Sequence, residues 1–194
     1  MGANKGQYGL PPGVKDTEIF GTRGFNNGVI VPPSSISTGN RNSKRDWTPI
    51  YVPRKTRANG LMVNVTTLDA GGQVRIGLYT DDDGYPGKLI QDGGLVSMAS
   101  TGEKVATIDQ MLSRGLHWVV GHQMSGASGW VSNHAGNGVT YFPLAVQTNL
   151  IPGAYYPSGL EETGKAVDEP LPPYAPGNMT YNRDTMLIGI RITV

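Results

Sequence analysis

Short runs of alternating apolar and polar residues, cut every few positions by glycine or proline, constrain this chain more than any other feature. A strand turns successive side chains to opposite faces, so alternation marks a half-buried strand, and Gly or Pro ends it. Residues 73 to 80 are the clearest case, with Val74, Ile76 and Leu78 directed one way and Arg75, Gly77 and Tyr79 the other. Further runs cover 48–53, 60–68, 88–91, 93–98, 103–108, 116–122, 139–147 and 186–194, about nine strands in all. Ala70-Gly71-Gly72 predicts a hairpin between 60–68 and 73–80, and Asp83-Gly84 with Pro86-Gly87 predicts successive tight turns. Only Ile108 to Arg114 offers a helical turn. With 28 glycines, 14 prolines and 16% charged residues, the composition fits the same turn-rich class. The expected fold is all-β, an antiparallel, jelly-roll-like β-sandwich over residues 45–194.

Residues 1–44 form the expected exception, an extended N-terminal arm holding eight glycines and four prolines with apolar residues at no regular period. An arm that buries little against its own chain recovers its ordering entropy only on a partner. Tyr8, Ile19, Phe20 and Phe25 supply apolar anchors and Arg41, Lys44 and Arg45 supply charge, which together read as an assembly arm. Two long loops follow, 123–138 around Trp130 and His134, and a proline-rich one at 149–184. Long loops on a rigid β scaffold are where binding resides, and the second loop also reads as a second arm packed on a neighbour.

The net charge of +1 conceals an asymmetry: residues 1–57 carry nine Lys/Arg against three Asp/Glu, and residues 58–194 carry seven against twelve. The two parts should attract each other. The basic clusters are short and lack any nucleic-acid-binding signature, so no nucleic-acid partner is expected. Cysteine is absent, which removes disulfides and thiolate metal sites. Residues 1–20 lack the apolar core of a signal peptide and no stretch approaches a membrane span, so a soluble protein made in a cytoplasm, with no membrane insertion, is expected.

The segment from Gly72 through Val74-Arg75-Ile76-Gly77-Leu78-Tyr79, the turn Asp81-Asp82-Asp83-Gly84-Tyr85-Pro86-Gly87 and on to Asp92-Gly93-Gly94 resembles a β-sandwich module of bacteriophage tail-fibre, receptor-binding and other minor virion proteins. Residues 47–122 carry most of the likeness, including Tyr51-Val52-Pro53 and Leu116-His117-Trp118-Val119-Val120. The resemblance implies a structural virion protein, often a homotrimer, whose partners are its own copies and other tail or capsid proteins. The arm and the 149–184 loop lie outside it.

The chemistry-bearing residues do not assemble into a catalytic signature. Asp81-Asp82-Asp83-Gly84 fails the EF-hand register, because Tyr79 and Ile90 fall where ligating acids belong. Asp81, Asp83 and Asp92 stay as weak candidates for a different cation site, set against a solvated turn. His117 and His122 are five apart and face opposite sides of a strand. Glu161-Glu162 and Asp168-Glu169 are adjacent acids with no spaced partner, and neither a nucleophile elbow nor a phosphate loop occurs. No enzyme activity and no cofactor are expected. Trp130, His134 and Tyr141 are the candidate receptor contacts, since exposed aromatic faces stack on sugar rings of a host surface glycan. The leading expectation is a tail fibre or receptor-binding appendage attached through its arm and located in the virion. A capsid decoration protein and a carbohydrate-binding module of an extracellular protein are the alternatives.

Overall fold

A computed structural model describes residues 29–30, 35–52, 54–124, 129–135, 159–166, 169–182 and 184–193. Among them the chain forms β1 (Val29–Ile30), β2 (Ser35–Gly39), β3 (Lys44–Val52), β4 (Thr56–Thr67), β5 (Gln73–Asp82), β6 (Tyr85–Ser97), β7 (Gly102–Leu112), β8 (Gly115–Met124), β9 (Trp130–Ala135), β10 (Gly159–Thr163), β11 (Thr180–Asn182) and β12 (Ile188–Thr193). The fold is all-β. Two six-stranded antiparallel sheets make a β-sandwich: β4 joins β7, β12 and β9 in the first, with β1 beyond β12 and β2 beyond β9, and the second runs β11-β10-β3-β8-β5-β6. No helix among the described residues is long and apolar enough to cross a membrane.

Alternation builds the core directly. Val74, Ile76 and Leu78 of β5 meet Leu61, Val63 and Val65 of β4 and Ile188, Ile190 and Ile192 of β12 in one buried cluster between the sheets. Each of these side chains contributes about 1.5 to 3 kcal/mol by leaving water, so the inward faces dominate the energetics.

Several expectations give way to tertiary structure. The turn at 68–72 does not make a hairpin, because β4 and β5 belong to different sheets. Each strand has one fully apolar face, and those faces bury each other only if the chain arches from one sheet to the other. The arch is tied by Asp69 N–H to the Met98 carbonyl (2.9 Å) and Met98 N–H to the Gly72 carbonyl (2.9 Å). Asp83 and Gly84, at φ of 53° and 87°, form the two-residue turn of the β5–β6 hairpin. Pro86-Gly87 is no second turn but part of β6, where Pro86 stands opposite Asp81. The runs at 88–91 and 93–98 are one strand, bent by register shifts, and residues 108–112 extend β7 rather than starting a helix.

The boundaries move as well. β2 pairs with β9 and β1 with β12, so chain before residue 45 is integral to the first sheet. The 123–138 loop contains β9, and the 149–184 loop contains β10 and β11, which complete the second sheet. The expected strand 139–147 lies outside the described residues.

Candidate functional site

The register of β3 separates its side chains cleanly. Asp46, Thr48, Ile50 and Val52 point between the sheets, and Arg45 and Trp47 point to the outer face of the second sheet. Opposite them, Glu161 pairs with Asp46 and Glu162 with Arg45. Two ionic clusters result, one on each face of the same strand pair, each with two cations and two carboxylates.

In the inner cluster, Arg41 donates through Nε (2.7 Å) and Nη2 (2.5 Å) to Asp46 and through Nη2 (2.5 Å) to Glu161. Lys44 adds a contact to Glu161 at 3.1 Å, and Asn182 Nδ2 donates to the same carboxylate. Asp46 is fully buried and also accepts from the Met186 N–H at 3.1 Å. Burial pushes its carboxyl upward, against the pull of Arg41. In the outer cluster, Arg45 reaches Glu162 at 2.8 Å and Glu169 at 3.2 Å, and Lys165 reaches the same two carboxylates. Buried ions survive only when paired and hydrogen-bonded on most sides, which is the arrangement here.

The outer face of the second sheet is covered by its own chain. Residues 169–175, Glu-Pro-Leu-Pro-Pro-Tyr-Ala, run across the strands as a strap. Arg45 Nη2 donates to the Pro170 carbonyl (3.2 Å), Tyr79 Oη to Pro172 (2.6 Å), and the Leu89 N–H to Pro173 (3.0 Å), while the Ala175 N–H donates to Gly87 (2.9 Å). Leu171 packs with Trp47, Tyr79, Trp118, Val120 and Leu160 in a second apolar cluster. Trp47 and Tyr79 meet edge to face, with ring centroids 4.7 Å apart. Burial pushes the Tyr79 phenol up, so it remains a donor. Ordering seven residues costs about 1 kcal/mol each. About 2 kcal/mol from Leu171 and about 1 from each of the four hydrogen bonds offset most of that. Three prolines lower the cost further by restricting the unfolded chain.

Gly77 is what lets the strap lie close. A Cβ there would run into Leu171 Cδ1 and approach Val120 Cγ1 at 3.1 Å. The glycine of the Arg-Ile-Gly-Leu-Tyr stretch thus serves the close approach of another chain segment.

The sequence-derived site residues fall into three groups. Arg41 and Arg45, assigned to the arm for assembly, are 6% and 1% exposed and occupied by intramolecular ion pairs, as is Lys44. Arg41 is thus engaged within the chain by Asp46 and Glu161, and Arg45 by Glu162 and Glu169. The attraction expected between the basic and acidic parts of the chain is met by these same pairs.

Asp81, Asp83 and Asp92 do not converge. Asp81 accepts from Trp118 Nε1 (2.9 Å) and the Gly84 N–H (3.2 Å), Asp92 holds Arg75 (3.0 Å) and the Gly94 N–H (2.8 Å), and Asp83 is an exposed turn residue. No group of three or more His, Asp or Glu side chains that could hold a metal ion occurs among the described residues. His117 points between the sheets and His122 to the outer face, each with its pKa lowered, chiefly by burial. Glu161 and Glu162 lie on opposite faces of β10.

Of the receptor candidates, Trp130 is 43% exposed, paired opposite Thr67 at the end of the sandwich that carries the β4–β5 arch. Leu68, next in the chain after Thr67, is 53% exposed. The backbone of His134 pairs with Ile36 in the β2–β9 ladder. Tyr8, Ile19, Phe20, Phe25 and Tyr141 lie outside the described residues. Sequence reasoning missed the exposed Tyr85 and Tyr174 at the opposite end, because Tyr174 reaches that end only through the strap, whose Tyr174 bridges Lys88 of β6.

No family model and no curated protein sequence matches the chain. A comparison of folds finds the crystal structure of the cysteine protease and lectin-like domains of Cwp84, a surface layer associated protein of Clostridium difficile, at TM-score 0.44 and 10% identity. The match covers 82% of this chain and 37% of that one, so the chain spans well under half of that protein's length.

Proposed function

We propose that this chain is a non-enzymatic structural subunit of a bacteriophage virion, a tail-fibre or receptor-binding appendage that associates as a homotrimer and attaches through its N-terminal residues. The observation that carries the reading is the use made of the resembling segment. Arg75 holds Asp92, Tyr79 holds the strap, Asp81 holds Trp118, and Asp83-Gly84 turns the hairpin. Each of these residues has a scaffolding task, as expected where the likeness is to a structural module rather than a reaction centre. Host contact falls on Trp130, whose exposed indole suits a sugar ring.

Decoration of a capsid is less favoured. It relied on a basic tether, and the cations at 41, 44 and 45 are paired with carboxylates of the domain. What precedes β1 holds three Lys/Arg and two Asp/Glu. The carbohydrate-binding module remains the second reading, supported by the same exposed Trp130.

The test compares the full chain, a chain lacking residues 1–28 and Trp130→Ala for solution mass and for binding to tail particles, capsids and host cells. Trimers that bind tails through residues 1–28 and cells through Trp130 are expected. Capsid binding that depends on residues 1–28 replaces the appendage with decoration, and sugar binding by a monomer indifferent to both particles replaces it with the extracellular module.

A further inference from the structure

His122 is the buried titratable group that the scaffold leaves unsatisfied. It has no exposed surface, neither ring nitrogen meets a partner in good hydrogen-bond geometry, and the acceptor that faces it is the backbone of Glu169 in the strap. β8 lies between β3 and β5, and the register sets Arg45 directly on one side of His122 and Arg75 on the other. Directly opposed residues share a face, so His122 lies in a row with Arg45, whose guanidinium acts on the imidazole, and Arg75, whose guanidinium is turned to Asp92. From β10 it faces Glu162 and from the strap Glu169, the two carboxylates that Lys165 also binds; beyond Arg75 lies Asp92 of β6. All three carboxylates are already engaged, Glu162 and Glu169 by Arg45 and Lys165, and Asp92 by Arg75. A protonated imidazole would find no anion to itself.

We propose that the 169–175 strap is an acid-released latch: protonation of His122 adds a third cation to the Arg45–His122–Arg75 row, the strap leaves the sheet, and Trp47, Tyr79 and Trp118 are uncovered. The strap is the element that yields because its hold on the face passes through the same groups. Arg45 carries the Pro170 carbonyl and Glu169 as well as flanking His122, whereas the β3–β8–β5 ladder is held by backbone pairs and the core behind it. Release also frees Gly87 and Leu89 on β6, the outermost strand of that sheet, for pairing with another chain.

The sign follows from linkage. With the strap closed, burial first and Arg45 second push the His122 pKa down to about 4, from an ordinary 6.5. Opening returns the ring to water. Above pH 6.5 both states hold it neutral and closure is at full strength; below 6.5 each pH unit favours the open state by up to about tenfold, until the closed form itself titrates. Glu169 acts in the same sense: burial alone would raise its pKa, but Arg45 and Lys165 hold it below the ordinary value, so acid also removes its grip on Arg45.

Backbone hydrogen exchange on the full chain, read by NMR between pH 7.5 and 4.5 and corrected for intrinsic rates, tests this. Protection at Leu89 and Ala175 is expected to fall about tenfold per pH unit below 6.5, while β5 and β8 amides keep theirs. The His122 ring proton shift should move with the same midpoint, and His122→Asn should keep the strap protected through the range. Joint loss of protection by strap and β5–β8 amides would mean global acid unfolding and overturn the proposal. So would an imidazole that titrates while the strap stays protected, or strap opening at the wild-type midpoint in a folded His122→Asn chain.

Discussion

Arg45 has 1% of its surface in water and holds two carboxylates, one carbonyl and a place in the β3 ladder. The desolvation cost of such an ion is several kcal/mol and is balanced only while its partners remain. Truncating it leaves Glu162, 7% exposed, with Lys165 as its remaining cation. Arg45→Ala should therefore lose about 3 to 5 kcal/mol in urea unfolding at pH 7, and replacing Arg45 and Glu162 together by methionine should recover most of that. A loss below about 1 kcal/mol for the single change would mean that the pair is not desolvated in solution. These residues explain a limit of sequence reading: nothing local distinguishes Glu161 and Glu162, buried on β10, from a solvated acidic pair, because the arginines that neutralise them stand 120 and 117 residues away.

Elements with one apolar face were legible, and elements whose burial depends on a distant partner were not. β5 and β12 announce themselves because alternation alone predicts their inward residues, which are the ones in the core. β10 has no such alternation, and the strap reads as a loop because prolines donate no ladder hydrogen bonds. Yet the strap has a partner written into β5: Gly77, the place where Leu171 enters. Gly77→Ala should cost about 1 to 3 kcal/mol by overpacking, and in a Leu171→Ala background the same change should cost at least about 1 kcal/mol less. Additive losses across this double-mutant cycle, measured by denaturant unfolding, would refute the contact. The hairpin expected at Ala70–Gly72 failed for a related reason: a turn motif specifies a change of direction, and only the opposing apolar face determines which sheet the chain enters next.

At the scale of the whole molecule, the sandwich includes chain that precedes residue 45, where the domain was expected to begin. Residues 35–44 hold β2, the turn at Ser43 (φ 57°) and both cations of the inner cluster. Deleting residues 1–44 removes Arg41 and Lys44 together and leaves Asp46 and Glu161 facing each other, 0% and 7% exposed, without the two cations that neutralise them. Two like charges desolvated side by side, with β2 gone from the edge of the first sheet, cost an amount comparable to the roughly 5 to 15 kcal/mol by which a domain is stable at all. Deleting residues 1–28 touches none of these groups. The shorter deletion should therefore unfold cooperatively within a few degrees of the full chain in calorimetry, and the longer one should show no cooperative transition at pH 7. A folded product of the longer deletion would show that the inner ionic cluster is dispensable, and that the domain begins at residue 45 after all.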